Sequence, residues 1–259
     1  MTQSIDPTAS PVQPGPAFGL IVGATAGLGF LLWNQQVASR FYVFAFVVVG
    51  WVLSLTLHEF AHAYTAWRAG DHSVAARGYL TLDPRLYSEP MLSIGMPVLF
   101  VLMGGFGLPG GAVWIDRRQI PNRWHLTAVS LAGPAANLLF GIIVLAPVGL
   151  GWVSSAERPS LVVALSFLGA LQAAALVLNL LPIPPFDGYG AIEPHLSPAI
   201  RRQIAPVGRY GILVLIGALW LIDPVNALFW DTVYGLVELV DVPRQWVRLG
   251  AFEFRFWEQ

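Results

Sequence analysis

The sequence from Phe41 to Trp67 reads FYVFAFVVVGWVLSLTLHEFAHAYTAW, and this stretch decides the fold. Residues 41–57 are predominantly apolar, and the stretch continues in helical register through the residues that follow. A helix needs about 20 predominantly apolar residues to span a membrane. The sequence therefore predicts a membrane-spanning helix that carries His58, Glu59 and His62 near one end.

These three side chains have the spacing of a zinc site. His58 and His62 are four residues apart and lie on one face of a helix, so that two imidazoles can bind one ion. Glu59 is offset around the helix and can act on a zinc-bound water. The alternative is a chance match on an ordinary helix. We favour the metal site because an ionisable group inside a membrane helix costs about 2.5 kcal/mol or more, so three such groups need a compensating partner.

The position of His58 along the helix predicts the depth of the site. His58 lies 17 residues beyond Phe41, which corresponds to about 25 Å of helix at 1.5 Å per residue. The hydrocarbon core of a bilayer is about 30 Å thick. We therefore expect the site to lie inside the bilayer, close to one of its faces.

The composition of the 259-residue chain favours an integral membrane protein. Hydrophobic residues make up 56% of the chain and charged residues 11%, against about 25% charged residues in ordinary soluble domains. These values exclude an intrinsically disordered chain and a nucleic-acid-binding protein that relies on a basic surface. The chain has no cysteine, which excludes disulfides and thiolate metal sites.

Further apolar stretches predict an all-α polytopic membrane protein with about five to six transmembrane helices. We expect a disordered N-terminal tail at residues 1–16, one membrane-embedded domain at 17–240 and a C-terminal tail at 241–259. Residues 225–240 contain Asp231 and Glu238, so this stretch is expected to be kinked or to lie at the membrane surface. The other candidate spans are residues 17–33, 126–150, 161–181 and 210–222.

One apolar stretch, residues 91–109, is rich in glycine and proline, which weaken a helix. We expect residues 89–115 to form a re-entrant or membrane-embedded segment with a short β-strand at residues 110–115. This topology keeps most of the arginines on one face, which the positive-inside rule identifies as cytoplasmic. The arginines expected there are Arg68, Arg77, Arg85, Arg117, Arg118, Arg123, Arg201, Arg202 and Arg209, whereas Arg40 and Arg158 lie opposite.

A catalytic zinc ion needs a third protein ligand, and Asp187 is the candidate. It lies in the sequence NLLPIPPFDG, directly after the predicted helix at 161–181, and is expected at the depth of His58. The alternative is an ordinary surface turn, which Pro-Pro-x-Asp-Gly also favours, and spacing alone leaves the two interpretations even. Glu193, six residues later, is a second candidate for the ligand.

Three motifs, in order, resemble the site-2 protease family of intramembrane zinc metalloproteases, in its compact bacterial form without a PDZ domain. They are HEFAH at residues 58–62, GPAAN at 133–137 and N-x-x-P-x-x-x-x-D-G at 179–188. The segment GYLTLDP at 78–84 also resembles the compact bacterial members. The resemblance covers about residues 41–195, which is most of the chain.

The resemblance implies a role for each residue of these motifs. His58, His62 and Asp187 would bind one zinc ion. Glu59 would be the general base and then the acid that protonates the leaving amine. Asn179 would orient the substrate or stabilise the oxyanion. Asn137, on the intervening helix, would support the core by hydrogen bonding, with simple packing between helices as an equal alternative.

The resemblance also implies an activity, a substrate class and a location. The protein would be a zinc metalloendopeptidase that hydrolyses a peptide bond in or near the transmembrane segment of a single-pass membrane protein within the lipid bilayer. Residues 110–115 would supply an edge strand for the unwound substrate. The protein would be a multi-pass cell-membrane protein with its active site near the cytoplasmic side. The alternative is a catalytically silent membrane protein of the same fold that binds or chaperones partners, and the intact Glu59 argues against it.

Overall fold

The structure of the protein is a computed structural model that describes residues 12–34, 40–87 and 113–258. These residues form ten α-helices, and no strand occurs among them. Short 3₁₀ turns lie at Tyr79–Thr81, Pro84–Leu86, Arg117–Gln119 and Glu193–His195. The helices are α1 (Pro16–Trp33), α2 (Arg40–Arg68), α3 (Ser73–Ala76), α4 (Arg123–Gly149), α5 (Pro159–Asn179), α6 (Asp187–Ile192), α7 (Pro198–Ile204), α8 (Val207–Leu221), α9 (Asp223–Glu238) and α10 (Arg244–Phe254).

Four of these helices, α1, α2, α4 and α5, are long and apolar enough to cross a membrane. The helices α8 and α9 meet the same criterion only as a pair, which is bent by 95°. The bend follows from the sequence at the junction, where the backbone of Ile222 is extended. Pro224 suits the first turn of a new helix, because N–H groups in that turn have no acceptor within the helix and proline has no N–H. The structure confirms the predicted all-helical membrane class, while the number of spans stays a prediction.

The predicted re-entrant segment falls mostly outside the described part of the chain. Residues 88–112 are not among the described residues. Of the predicted strand at 110–115, the structure describes residues 113–115, and these have no regular secondary structure. The short β segment therefore also stays a prediction.

The core of the protein is the mutual packing of α2, α4 and α5, and glycines let these helices approach closely. Gly50 of α2 faces Leu168 of α5, and Gly169 of α5 faces Leu145 of α4. At both glycines a Cβ atom would overlap with the facing leucine side chain. The helix α5 is the most enclosed of the apolar helices, because α2, α4, α9 and α10 all pack against it.

Helix α10 packs across α5 and α2 at the end of α2 that is remote from the histidines. Its residues Val247 and Phe254 are buried, and Gly250 lies directly against the carbonyl oxygen of Val163 in α5. Residues 241–259, predicted as a C-terminal tail, thus include a packed helix. Of the predicted N-terminal tail, residues 1–11 lie outside the described residues.

Replacing Gly250 with alanine should destabilise the protein. The added methyl group would overlap with the Val163 carbonyl oxygen and lie 2.6 Å from Cβ of Phe167, and such overpacking costs about 1–3 kcal/mol. Gly235 of α9 is the matched control, because a Cβ atom there meets nothing within 4 Å and alanine favours a helix by about 1 kcal/mol. Thermal unfolding in detergent should show a lower midpoint for Gly250→Ala and an equal or higher one for Gly235→Ala. Equal midpoints for the two variants would contradict the close contact.

Candidate metal centre

The helices α2 and α6 bring the three predicted ligands together. His58 and His62 project from one face of α2, and Asp187 is the first residue of α6. The two histidine Nε2 atoms are 3.1 Å apart. The Asp187 carboxylate oxygens lie 3.3 Å from Nε2 of His58 and 3.4 Å from Nε2 of His62. In the described part of the chain, this is the one group of three such side chains that could hold a metal ion.

The separations between the ligand atoms match a tetrahedral zinc site. Zinc binds imidazole nitrogen and carboxylate oxygen at about 2.0–2.2 Å, so neighbouring ligands of a tetrahedron lie about 3.3–3.6 Å apart. The three observed separations, 3.1, 3.3 and 3.4 Å, are close to that value. Two nitrogen ligands and one carboxylate leave the fourth position for water, which is the arrangement of a catalytic zinc site.

One stripe of α4 orients both histidine rings. Oδ1 of Asn137 lies 2.8 Å from Nδ1 of His58, and the carbonyl oxygen of Val129 lies 2.7 Å from Nδ1 of His62. Both partner oxygens are acceptors, so each Nδ1 donates its hydrogen and each Nε2 keeps its lone pair for a metal. Asn137 therefore supports the metal site through His58, in addition to packing between helices.

Gly133 occupies the middle of the same stripe, four residues from each of the two partners, and keeps space free for an ion. A Cβ atom at this position would overlap with Nε2 of His62 and lie 2.6 Å from Nε2 of His58. The metal-facing sides of the two imidazoles are clear because this residue has no side chain. The donor set and the free space together fit a bound zinc ion.

The loop after α5 carries Asp187 back to the histidines, and two glycines let it pass closely. A Cβ atom at Gly188 would overlap with the carbonyl oxygen of Leu180, where α5 ends. Gly211 of α8 contacts the same loop from the other side, since a Cβ atom there would overlap with the carbonyl oxygen of Pro184. The position of Asp187 therefore depends on the packing of both α5 and α8.

The two candidates for the third ligand have different surroundings. Asp187 places its two carboxylate oxygens against the Nε2 atoms of His58 and His62. Asp187 is therefore the candidate that belongs to the ligand group. Glu193 instead forms an ion pair with Arg117 and is not part of the ligand group.

Glu59 is buried beside the ligands, one residue after His58. Its Oε2 accepts a hydrogen bond of 3.1 Å from the backbone N–H of Val113. An edge strand at 110–115 would offer this N–H to a substrate, but here it is bound by Glu59.

Tyr87 is buried nearby, and burial, together with the charges of Glu59 and Asp83, raises the pKa of Tyr87 well above its ordinary value.

Asn179 lies at the last position of α5 and is buried beside the metal centre. It lines a small cavity together with His58, Asn137 and Ser54. The hydroxyl of Ser54 donates to Oε1 of Gln172, which extends the polar region from the metal centre into the bundle. The structure thus places Asn179 in the wall of the same cavity as the candidate ligand His58.

Two features of the site were missed by reasoning from the sequence. The carbonyl oxygen of Val129 has no signature in the residue type, so no sequence pattern reveals it. The role of Gly133 could have been inferred, because the glycine of the GPAAN motif precedes Asn137 by four residues and so lies on the same face of the helix.

Adding a methyl group at Gly133 should displace the metal. The Gly133→Ala variant is expected to contain less than about half of the wild-type zinc after purification, because the new Cβ takes the space between the two Nε2 atoms. Ala135→Leu is the control, since Ala135 is exposed on the outer face of the same helix. Elemental analysis of both variants checks this. Full zinc occupancy in Gly133→Ala would show that the ion does not lie where the geometry indicates.

Comparison with known proteins identifies the family. The model of peptidase family M50 matches residues 44–153, which include most of α2, with both histidines, and all of α4. No solved structure matches the chain.

Similar curated proteins extend over nearly the whole chain. A protein of Mycolicibacterium smegmatis named "Putative zinc metalloprotease Rip2" is 44% identical over 98% of both chains. Its namesake in Mycobacterium tuberculosis (strain H37Rv) is 45% identical over 95% of both chains. "Putative zinc metalloprotease YwhC" of Bacillus subtilis is 31% identical over 66% of this chain and 78% of its own length. With the motifs at 58–62 and 179–188 in place, the chain belongs to peptidase family M50, the site-2 protease family of zinc metalloproteases.

Proposed function

We propose that this intramembrane zinc metalloprotease cleaves a single-pass membrane protein at a peptide bond close to the cytoplasmic face, with Glu59 as general base. The observation that carries the proposal is the tetrahedral spacing of His58, His62 and Asp187, with Glu59 buried next to them on an apolar helix. A membrane-embedded site of this kind suits a substrate that is itself in the bilayer. A catalytically silent protein that only binds partners would need neither an open metal position nor a buried carboxylate beside it.

The chemistry assigns a distinct task to each side chain. A zinc ion held by the three ligands would acidify a water molecule and polarise the substrate carbonyl. Glu59 would take the proton from that water and deliver it to the nitrogen of the leaving amine. The Val113 N–H holds one oxygen of Glu59, which leaves the other oxygen for the proton transfer.

Asn179 is proposed to orient the substrate or to stabilise the oxyanion. Its burial at the end of α5, next to the cavity that His58 also lines, supports this role. A buried amide that is held near the reacting carbonyl can donate a hydrogen bond to negative charge that develops on the oxygen.

The position of the site along α2 supports cleavage near the cytoplasmic face. His58 is 18 residues after Arg40, where α2 begins, which is about 27 Å along the helix. The far end of α2 is followed by loops rich in arginine, and the positive-inside rule assigns such loops to the cytoplasm. The arginines in the described residues near this end are Arg68, Arg77, Arg85, Arg117, Arg118 and Arg123.

We also propose that Tyr87 and Val113, the described residues on either side of residues 88–112, lie on the same side of the membrane, as the re-entrant segment predicted at residues 89–115 requires. The residues that flank this segment both contact the same part of α2. The hydroxyl of Tyr87 lies 3.5 Å from the carbonyl oxygen of Thr56, and the N–H of Val113 contacts Glu59, three residues later. Because both ends of the segment meet at one place, a single crossing of the bilayer between them does not fit.

Replacing Glu59 with glutamine should separate metal binding from catalysis. Glu59→Gln is expected to keep one zinc ion per chain and to lose cleavage of a membrane-embedded reporter by about 100-fold or more, because the amide cannot accept the proton. Asp187→Ala is the companion variant and should lose zinc and cleavage together. Retained zinc in Asp187→Ala would make Glu193 the candidate ligand. Cleavage that survives in Glu59→Gln would reject Glu59 as the general base. In cells that carry Glu59→Gln, a single-pass membrane protein that accumulates uncleaved would identify the substrate.

Thiol labelling can test the return of residues 88–112, because the native chain has no cysteine. Leu86→Cys and Arg118→Cys place thiols at exposed positions on either side of this segment. Both should react with a membrane-impermeant reagent added from the cytoplasmic side. Trp152→Cys, exposed in the loop between α4 and α5, is the control and should react only from the opposite side. Labelling of Leu86→Cys and Arg118→Cys from opposite sides would overturn the topology.

A further inference from the structure

Asp71, in the turn after α2, is a fully buried carboxylate that the proposed chemistry does not use. Its Oδ1 accepts the backbone N–H of Ser73 at 3.0 Å and the Ser73 hydroxyl at 2.6 Å. Its Oδ2 accepts the backbone N–H of Asp116 at 2.7 Å. All three donors are neutral, and burying a charge is costly unless its hydrogen bonds are made. These three hydrogen bonds offset part of the cost of burying this carboxylate.

The hydrogen bonds to Ser73 are local, whereas the hydrogen bond to Asp116 joins two distant parts of the chain. An aspartate often accepts a hydrogen bond from the residue two positions later, which accounts for Ser73 as ordinary turn chemistry. Asp116 is 45 residues away in the sequence. The turn does not need this second bond, which ties the end of α2 to the segment of residues 113–116.

The same segment reaches the active site at its other end. There the N–H of Val113 donates to Oε2 of Glu59. Between the two ends, the Trp114 ring lies 4.0 Å from the Arg77 guanidinium carbon. Three residues span at most about 10 Å when fully extended, so the segment has little slack between its two carboxylate anchors.

We propose that Asp71 is a positioning residue for Glu59. By holding the N–H of Asp116, it fixes residues 113–116, and the N–H of Val113 then holds one oxygen of the Glu59 carboxylate. This inference rests on the proposed role of Glu59 as general base. The geometry matters because a misplacement of about 1 Å in a catalytic group can lower a rate by about 100-fold.

Two variants remove the long-range bond from its two sides. Asp71→Asn leaves one acceptor oxygen for Ser73 and sets an amide N–H₂ against the N–H of Asp116. Asp116→Pro deletes the donor itself, and the φ angle of −81° at Asp116 is within the range of proline. Two controls leave the bond in place: Ser73→Ala removes only the local hydroxyl, and Asp116→Ala removes the side chain that caps Arg118 but keeps the N–H.

The first measurement is the cleavage of a membrane-embedded reporter in detergent, with kcat, KM, zinc content and thermal midpoint determined for each variant. Asp71→Asn and Asp116→Pro should lower kcat by about tenfold or more with KM within about twofold, because the base is displaced while substrate binding is not. Zinc content should equal that of the wild type. Ser73→Ala and Asp116→Ala should keep kcat within about twofold of the wild type.

The second measurement is a double-mutant cycle with Val113→Pro, which removes the N–H that holds Glu59. If Asp71 acts through residues 113–116, Asp71→Asn should lower kcat no further in the Val113→Pro background. A purely structural role would instead give independent, multiplicative losses, and that result would overturn the inference. So would a kcat that rises in Asp71→Asn, since the contact would then restrain Glu59 rather than position it.

The outcomes separate this inference from the proposed function. Wild-type protein that holds zinc but cleaves no reporter rejects the function. Cleavage by the wild type with an unchanged kcat in both Asp71→Asn and Asp116→Pro rejects only the role of Asp71. If Asp71→Asn fails to fold, the comparison of Asp116→Pro with Asp116→Ala decides the matter alone.

Discussion

Polar side chains inside an apolar helix bundle must find their partners within the protein, because the bilayer core offers no water. Helix α2 carries several such groups towards one end, and two neighbouring helices supply their partners. His58 and His62 pair with α4, and Ser54 pairs with Gln172 of α5. Each pairing fixes the register of one helix against another. The hydrogen bonds that hold these helices in register are therefore the same ones that arrange the side chains of the metal centre.

The way these partners are used decides the chemistry. Asn137 and the Val129 carbonyl take the Nδ1 hydrogens, and this leaves two Nε2 lone pairs pointing at one place. Asp187 approaches that place from a separate loop, so the site closes only when α2, α4 and the end of α5 are all in position. Glu59 receives its support from a fourth element, residues 113–116. A site assembled from distant parts of the chain cannot form in any single helix alone.

Much of this arrangement could be predicted from the sequence. The helix predicted over residues 41–67 is extended by the structure by only one residue at each end, and the loop in which the third ligand was sought brings Asp187 close to the histidines. The apolar stretch predicted at residues 210–222 also ends close to where the structure ends α8, at Leu221. These features depend on local patterns of apolar residues, prolines and side-chain ligands, which a single sequence displays.

The remaining features depend on contacts between distant segments. Val129 contributes through its backbone, and the N–H of Val113 is bound by a carboxylate from another part of the chain. Asp71 lies in what looks like an ordinary polar turn, and only its bond to Asp116 distinguishes it. Residue type does not encode such contacts. The function could therefore be inferred from the sequence, but the supports that orient the reacting groups required the structure.

The contact between α8 and the ligand loop has a mechanical consequence. Several side chains of α8 are exposed, among them Leu213, Val214 and Trp220, yet Gly211 of the same helix lies against the carbonyl of Pro184, three residues before the candidate ligand Asp187. A tilt of α8 would therefore be transmitted through a rigid proline-rich loop to the metal centre. Bilayer thickness and lateral pressure act on lipid-facing helices of this kind. A change in the tilt of α8 within the bilayer would thus bear on where Asp187 lies relative to the two histidines.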